Sequence, residues 1–255
     1  MRFASLGSGS QGNSLVVEAG ATRLLLDCGF GLAAVVNRLG RLGLVPEDLS
    51  AIIVTHEHED HIGGVARLAR RHCIPVWLTP GTLAGFEALF TDVAQVSMIH
   101  NYEAFAVGDL QVQPFPVPHD AREPAQYVFG DGARRLGVIT DVGCSTRHIE
   151  SMLSSCDALV LECNHDVEML RMSSYPQRLR ERIAGRFGHL DNGAAAELLQ
   201  RLDNAKLKHL VAAHLSQENN RPDLARAALS AAMNCAPEWI AIADQDDGLA
   251  WRQIV

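Results

Sequence analysis

The sequence predicts a single α/β domain that spans residues 1–255. Short runs of apolar and β-branched residues recur along the chain, as is typical of buried strands. Stretches with helical spacing separate many of these runs, and reactive polar residues follow directly after them. No linker, low-complexity tract or close internal repeat divides the chain, so one domain is the simplest account.

Composition and charge narrow the class of protein. Apolar residues make up 47% and charged residues 20% of the chain, as in globular proteins. No apolar run approaches the roughly 20 residues of a membrane span, and the first residues lack a signal-peptide core. Six cysteines without a Cys-x-x-Cys pair suit a reducing compartment. We therefore expect a cytoplasmic protein without membrane contact, whose net charge of −8 argues against a large basic surface.

The first part of the chain alternates strands with helices. Strands are predicted at residues 2–6, 15–18, 23–26, 51–54 and 75–78. Helices are predicted after residue 29 to about 42, from residue 62 onwards, and from 80 to about 89. The Gly/Ser-rich stretch 7–14 predicts either a backbone nest for phosphate or a plain hairpin loop. Residues 93–108 are expected to be less regular.

The second part repeats the alternation. Strands are predicted at residues 109–117, 136–140, 157–162 and 209–213. Helices are predicted at 176–183, at 193–202 with Asp191 as the cap, and at 222–233 with Pro222 in its first turn. Residues 238–255 predict a hairpin about Asp246-Asp247-Gly248.

One dense polar motif follows the strand at 51–54. It contains His56, His58, Asp60 and His61 and runs into a helix. Alternate side chains of an extended segment share a face, so His56 and His58 can approach one ion. Asp60 and His61, at the helix start, can turn toward a second. Imidazole and carboxylate are ligands of catalytic zinc, manganese or iron.

Later strand ends supply further ligands. His119, Asp141, His165 and His214 each follow a predicted strand, and several such residues are expected to converge on one site. We predict two divalent ions, zinc or manganese, with Asp141 as a bridge. The predicted ligands of the first ion are His56, His58 and His119, and those of the second are Asp60, His61 and His214.

This ligand order resembles the metallo-β-lactamase fold, an αββα four-layer sandwich, over essentially the whole chain. The resemblance implies that Asp27, in Asp27-Cys28-Gly29, supports the metal loops from behind the ligands. Finer features resemble the YycJ/WalJ subfamily. They are Gly7-Ser8-Gly9-Ser10 with Gly12-Asn13-Ser14, Glu162-Cys163-Asn164-His165-Asp166 with Met169-Leu170, Gly188-His189-Leu190, and His214-Leu215-Ser216 with Asn219-Asn220.

The subfamily includes a bacterial 5′→3′ DNA exonuclease linked to mismatch repair. The resemblance therefore implies a dinuclear-metal phosphodiesterase, a nuclease with DNA as its expected substrate and a role in DNA repair. The interval from Asp141 to His214 is too short for the inserted domain of the RNase J type. The long arm of tRNA 3′-processing enzymes is not evident either. A homodimer is compatible with the sequence but not indicated by it.

Three residues have predicted catalytic roles. Asp60 can orient or accept a proton from the attacking water. His189 is the candidate donor to the leaving alkoxide, and the resemblance implies that Glu162 holds its ring. The alternative for Glu162 and His189 is an ion pair that joins loops.

Several residues are candidates for substrate contacts. His165 can line the cleft or satisfy backbone groups, and Ser216, Asn219 and Asn220 can contact sugar or phosphate. Five arginines lie between Arg171 and Arg186, of which Arg178 and Arg182 are the predicted phosphate contacts. A solvated helix face is the alternative for this cluster.

Three rival functions are compatible with parts of the motif. A phosphodiesterase that opens cyclic phosphates needs nearly the same metals and suits the acidic charge. A thioester or lactam hydrolase of the glyoxalase II or β-lactamase kind leaves Glu162 and His189 without a task. A metal-stabilised scaffold without activity is disfavoured, because structural sites close their coordination with four ligands.

Overall fold

The computed structural model describes residues 1–100 and 103–255. Within these residues the strands form two sheets of seven strands each. The first sheet has the order β14-β1-β2-β3-β4-β5-β6 and the second β13-β12-β11-β10-β9-β8-β7. The strands of the first sheet are β1 (Arg2–Gly7), β2 (Ser14–Ala19), β3 (Thr22–Leu26), β4 (Ala51–Ile53), β5 (Val76–Leu78), β6 (Val96–Met98) and β14 (Leu249–Gln253). Those of the second are β7 (Phe105–Val107), β8 (Leu110–Pro116), β9 (Ala125–Gly130), β10 (Arg135–Ile139), β11 (Ala158–Glu162), β12 (His209–Ala213) and β13 (Ala241–Ile242).

Helices cover the outer face of each sheet. They are α1 (Leu32–Arg41), α2 (Glu59–Ile62), α3 (Val65–His72), α4 (Pro80–Ala84), α5 (Glu87–Phe90), α6 (Arg147–Leu153), α7 (Val167–Met172), α8 (Gln177–Ile183), α9 (Asn192–Arg201) and α10 (Pro222–Met233). No helix in the described ranges is long and apolar enough to cross a membrane.

Side-chain alternation along the strands produces three apolar layers. Leu24 and Leu26 of β3 point into the core between the two sheets, where they join Tyr127 of the second sheet. Leu25 points the other way, toward α1 and α3. A third cluster joins the outer face of the second sheet to α6, α9 and α10. The predicted αββα four-layer sandwich is confirmed.

Both sheets change from antiparallel to parallel pairing. In the first sheet β3, β4, β5 and β6 run parallel, and in the second β10, β11, β12 and β13 do. The carboxyl ends of parallel neighbours lie at the same sheet edge. The polar residues that follow β3, β4, β10, β11 and β12 are thereby gathered at one side of the molecule.

The predicted C-terminal hairpin is wrong. Asp244 Oδ1 does accept hydrogen bonds from the amides of Asp246 and Asp247, and Gly248 has φ 69°, so the turn itself forms. Its two flanking strands, however, belong to different sheets. β13 pairs with β12 and β14 pairs with β1, because each completes an existing sheet edge. Local turn chemistry could not reveal this crossover.

Other differences are smaller. The prediction contained no strand at β9, and residues 93–108 contain β6 and β7 within their described part. The helix predicted at 80–89 is two short helices, α4 and α5, separated at Gly85 and Phe86. The cap at Asp191 is confirmed, since its Oδ1 accepts from the amides of Gly193 and Ala194.

Candidate metal centre

Three histidine side chains meet at one end of the cluster. Donor atoms of His56, His58 and His119 all lie within 4.8 Å of one another. The pair His119 Nε2 and His58 Nδ1 is separated by 3.3 Å. His56 and His119 are buried, whereas the side chain of His58 is 28% exposed, so this group opens to solvent on the His58 side.

A second group lies beside the first. Donor atoms of Asp60, His61 and His214 also lie within 4.8 Å of one another. Asp60 Oδ2 is 3.5 Å from His61 Nε2 and 3.4 Å from His214 Nε2. Asp141 stands between the groups, with Oδ2 at 2.9 Å from His61 Nε2 and Oδ1 at 3.9 Å from His119 Nε2. The seven residues predicted as ligands are thus brought together.

Hydrogen bonds fix which ring nitrogen of each histidine faces the centre. Thr55 donates its hydroxyl proton to Asp27 at 2.8 Å, so its oxygen accepts from His56 Nδ1 at 2.9 Å. His61 Nδ1 donates to Asp27 Oδ2 at 2.8 Å, and His119 Nδ1 donates to the Gly188 carbonyl at 3.0 Å. In the neutral tautomers that these bonds select, each Nε2 presents a lone pair to the centre.

This arrangement fits a bound cation. In the described part of the chain, buried His56 Nε2 and Asp141 Oδ2 have no hydrogen-bond partner. His61 Nε2 lies 2.9 Å from Asp141 Oδ2, a contact that is favourable only with a proton or a cation between the two atoms. Buried acceptors need a proton or a cation as partner. Imidazole nitrogen and carboxylate oxygen suit zinc and, with more oxygen, manganese.

The electrostatics of the metal-free site support the same conclusion. Burial opposes the charged form of His214, yet the neighbouring carboxylates, Asp141 first, raise its pKa to about 10. The pKa of His61 is also raised well above its usual value, against burial, by Asp141, Asp60 and Asp27. Without a metal ion, protons on His61 and His214 therefore neutralise the buried carboxylates, and a bound cation would supply the same positive charge.

Three residues of the site have left-handed backbone conformations. Asp27, Asp141 and His214 have φ of 59°, 49° and 54°. Each follows a strand, and the sharp turn aims its side chain across the strand ends. Such conformations are uncommon for residues other than glycine and cluster at functional sites.

Glu162 connects the predicted proton donor to a predicted metal ligand. Its Oε1 accepts from His189 Nδ1 at 2.8 Å and from His214 Nδ1 at 3.1 Å. Its Oε2 accepts from the amides of Val142 and Leu190. Burial disfavours the carboxylate, but these histidines outweigh it and lower its pKa to about 2. Glu162 therefore orients two rings at once, which the sequence did not reveal.

The Gly/Ser-rich loop between β1 and β2 forms hydrogen bonds to two of the predicted ligands. Ser8 Oγ accepts from the His214 amide at 2.8 Å and donates to Asn13. Asn13 Nδ2 donates to Asp60 Oδ2 at 3.2 Å. Gly29 packs here so closely that a Cβ would lie 1.9 Å from the Asp60 carbonyl. Of the two predictions for residues 7–14, the hairpin loop is the one observed, because β1 and β2 pair in antiparallel fashion. The glycines and Asn13 of this stretch were the sequence features that pointed to a structured loop.

Asp120 was not predicted, although it follows His119 directly. Its Oδ1 lies 3.4 Å from His119 Nε2 and 3.9 Å from His58 Nε2. Arg182 Nε donates to its Oδ2 at 2.5 Å. Arg182 thereby reaches the open side of the cluster, whereas Arg178 is exposed on α8.

The remaining predicted substrate residues are largely engaged within the protein. Asn220 Nδ2 donates to the Cys163 carbonyl at 2.7 Å, and its Oδ1 accepts from Asn192 and the Arg221 amide. Ser216 Oγ accepts from the Asn219 amide. Asn219 is buried as well. His165 is buried beside a cavity, where its Nδ1 lies 3.3 Å from Asn164 Oδ1.

Comparison with known proteins agrees with the fold. Four αββα layers with a histidine and aspartate cluster at the strand ends define the metallo-β-lactamase fold. Residues 22–214 match the beta-lactamase superfamily domain. Exodeoxyribonuclease YycJ of Bacillus anthracis is 38% identical over 234 residues, 90% of this chain and 88% of the relative. Exodeoxyribonuclease WalJ of Streptococcus pneumoniae is 35% identical over 228 residues, 88% and 85% of the two chains.

The chain therefore belongs to the beta-lactamase superfamily and, within it, to the family of the YycJ and WalJ exodeoxyribonucleases. Solved structures share the fold at lower identity. YhfI from Bacillus subtilis has a TM-score of 0.77 and 17% identity and covers 99% of both chains. Zinc-bound PqqB from Methylobacterium extorquens has a TM-score of 0.73 and 20% identity, covering 99% of this chain and all of that one.

Proposed function

We propose that this protein is a two-metal phosphodiesterase that acts as an exonuclease on DNA in the 5′→3′ direction. The observation that carries the proposal is the paired donor set with the Glu162–His189 pair beside it. Relatives named exodeoxyribonucleases cover most of the chain and support a nucleic-acid substrate.

Among the residues that the structure describes, the donor atoms fall into four overlapping groups, one of which joins Asp141 and His214 to Glu162 and His189. His58 and Asp60 are the partly exposed members, so substrate approaches from their side. When bound, the ions supply an activated water and positive charge beside the phosphoryl oxygens. The residues that would hold them are His56, His58 and His119 for one ion, Asp60, His61 and His214 for the other, and Asp141 for both.

Asp60 is suited to orient the attacking water. Although burial disfavours its charged form, His61 and His214 lower its pKa, so the carboxylate stays ionised at neutral pH. An ionised carboxylate accepts hydrogen bonds but donates none. Asn13 holds one of its oxygens, which fixes the direction of the other.

His189 is suited to protonate the leaving oxygen. Because Nδ1 donates to Glu162, the proton of the charged ring that is available for transfer is on Nε2. Burial opposes the charged ring, but Glu162 first and then Asp141 raise its pKa above the usual value. The protonated form is therefore more populated near neutral pH than in a free imidazole, as suits a general acid.

Several finer properties belong to the same proposal. The ions are zinc or manganese, by the nitrogen and oxygen content of the donor set. The protein acts in the cytoplasm in DNA repair, and its substrate contacts include Arg182 and, as weaker candidates, Arg178, His165, Ser216 and Asn219. A homodimer is retained as an expectation to be checked by light scattering.

The test is incubation of zinc- or manganese-loaded protein with end-labelled single- and double-stranded DNA, RNA and bis-p-nitrophenyl phosphate. Progressive release of mononucleotides from the 5′ end of DNA is expected. Hydrolysis of the small diester without digestion of any polymer would refute the nuclease function. Release from the 3′ end would refute the direction alone.

A further inference from the structure

A cavity of about 540 Å³ lies between α7, α8 and the start of α9. Leu170 and Ala184 give it an apolar floor, and the side chains of Arg171, Arg180 and Glu181 border it. His165 and Asp191 form its inner wall. The volume lies in the range of sites that take a small organic group.

The inner wall is shared with the metal centre. His165 follows Glu162 by three residues, and Asp191 follows His189 by two. The two segments are joined by hydrogen bonds from the Asn164 amide to the Leu190 carbonyl and from the Asn192 amide to the His165 carbonyl, both 2.9 Å. Two extended residues span roughly 6.6 Å. Neighbouring phosphates of an extended single strand are separated by a similar distance, so a strand whose phosphate lies at His189 would bring a base one or two nucleotides away to the cavity.

Helix α8 connects the cavity to the open side of the centre. Arg182 reaches toward His119 through its bond to Asp120, whereas Arg180 borders the cavity. Residues two apart on a helix point to opposite sides, because successive side chains are about 100° apart. A strand laid across α8 would thus meet guanidinium groups at both ends. Guanidinium groups bind phosphate and stack on bases.

We infer that this cavity receives the base of a nucleotide in a single-stranded nucleic acid, one or two positions from the phosphate being cleaved. The inference rests on the proposed nuclease function. Proteins bind unpaired bases without reading sequence by stacking and by positively charged groups along the strand, and arginine contributes to both. The arginines would then have two different roles. Arg182 would contact the strand beside the metal centre, and Arg171 and Arg180 would contact the nucleobase in the cavity.

The first test needs no variant. Binding of twelve-nucleotide, phosphorothioate-linked single-stranded DNA is measured by fluorescence anisotropy, with an abasic site moved along the strand. Removal of one base near the cleaved end should raise Kd about tenfold, as expected for one stacked base. Equal Kd values for abasic sites at every position would overturn the inference.

The second test fills the cavity. Ala184→Trp on the floor should raise Kd for the intact strand about tenfold and abolish the further loss caused by the abasic site. Ala227→Trp, on the exposed face of α10, is the matched control and should change Kd less than twofold. Wild-type-like binding by a folded Ala184→Trp protein would overturn the inference.

The two proposals fail in different ways. If the wild-type protein cleaves DNA from its 5′ end but the abasic series is flat, only the cavity inference is wrong. If the wild-type protein neither binds nor cleaves any oligonucleotide, the nuclease proposal is wrong and the cavity inference falls with it.

Discussion

Asp27 stabilises the candidate centre without facing it. Its two oxygens accept from the Thr55 amide, the Thr55 hydroxyl and His61 Nδ1, each at 2.8 Å. Through Thr55 it also determines the tautomer of His56. One buried carboxylate therefore directs two proposed ligands toward the ions. Residues in this position commonly affect metal affinity nearly as strongly as ligands do.

Asp27→Asn should lower zinc affinity about 10- to 100-fold. Asparagine tolerates the left-handed backbone at this position, φ 59°, so the change removes the negative charge with little added strain. Affinity is measured by calorimetric titration of chelator-stripped protein. Asp109→Asn, on a surface turn, is the control. Equal affinities for the Asp27 variant and wild type would contradict this role.

His189→Ala should slow DNA cleavage by at least about 100-fold, the usual contribution of a general acid. Hydrolysis of bis-p-nitrophenyl phosphate should fall far less, because p-nitrophenolate leaves without a proton. Initial rates on both substrates give the comparison, and His72→Ala, whose ring pairs with Glu47 away from the cluster, is the control. Equal losses on both substrates would exclude a proton-donor role.

At this scale the sequence predicted the residues that lie at strand ends. His56, His119 and His214 could be predicted because each is a reactive residue after an apolar run. Asn13 stood in a recognisable motif, but its contact with Asp60 and the role of Thr55 could not be predicted, because both depend on the fold. Asn220 was predicted to contact substrate from its position in a loop, and its side-chain amide joins three segments of the fold.

Strand ends and tight glycine contacts are the elements that position the centre. Gly29 follows β3, and its amide donates to the Asn13 carbonyl at 3.1 Å. A side chain here would strike the backbone of Asp60, which cannot move without moving a proposed ligand. Gly31, two residues later, has open space around the same position.

Gly29→Ala should lower the free energy of unfolding by about 1–3 kcal/mol through overpacking. Gly130→Ala, whose added Cβ would lie 3.6 Å from its nearest neighbour, is the control and should change it by less than about 0.5 kcal/mol. Urea unfolding at pH 7 measures both. Similar small effects at the two glycines would mean that the Gly29 contact relaxes easily.

A cross-strand charge ladder joins the first three strands. Arg2 and Arg23 flank Glu18, with Nε to carboxylate distances of 2.6 and 2.7 Å. Burial disfavours the Glu18 carboxylate, but the hydrogen bonds from the arginines outweigh it and lower its pKa. A lowered pKa means that this stabilisation is present above the unfolded-state value and is lost as pH falls through the folded-state value.

Glu18→Gln should therefore cost about 0.2–1 kcal/mol at pH 7, the range of a cross-strand pair. The difference from wild type should shrink as pH falls below about 4.3, the ordinary value for glutamate. Urea titrations between pH 3 and 7 give the two curves, and exposed Glu218→Gln is the control. A difference independent of pH would show that the carboxylate charge does not matter.

Helices and strands could be predicted where the spacing of apolar residues agreed with the capping and turn residues at their ends. The helices α9 and α10 had a cap or a proline at the start and a regular apolar stripe. β13 and β14 were predicted as partners because Asp246-Asp247-Gly248 resembles a hairpin turn, but pairing across the two sheets decided their places. Long-range strand pairing leaves no local signal.

The whole molecule divides the proposed donor set between its two sheets. The segment after β4 supplies His56, His58, Asp60 and His61, whereas residues after β8, β10 and β12 supply His119, Asp141 and His214. Ions held by both sets would link the two sheets at their edge. Metal binding should then stabilise the global fold and not only the local loops.

Chelation should consequently lower the Tm of the protein. Binding at a metal concentration 100-fold above Kd contributes about 2.7 kcal/mol, or roughly 5–10 °C for a chain of this size. Differential scanning calorimetry with EDTA and then with excess zinc measures the change. Asp141→Asn should reduce the zinc-dependent shift, and an unchanged shift in that variant would argue against a shared ligand.

Divide the chain between β6 and β7, and neither half contains a complete ligand set. The first half contains His56, His58, Asp60 and His61, and the second contains His119, Asp141 and His214. Two fragments separated between these strands would each bind metal weakly, and together they would bind it tightly only after docking. Zinc-dependent association of such fragments would then show directly that the metal holds the two sheets together. Split in this way, the protein would report the presence of the metal.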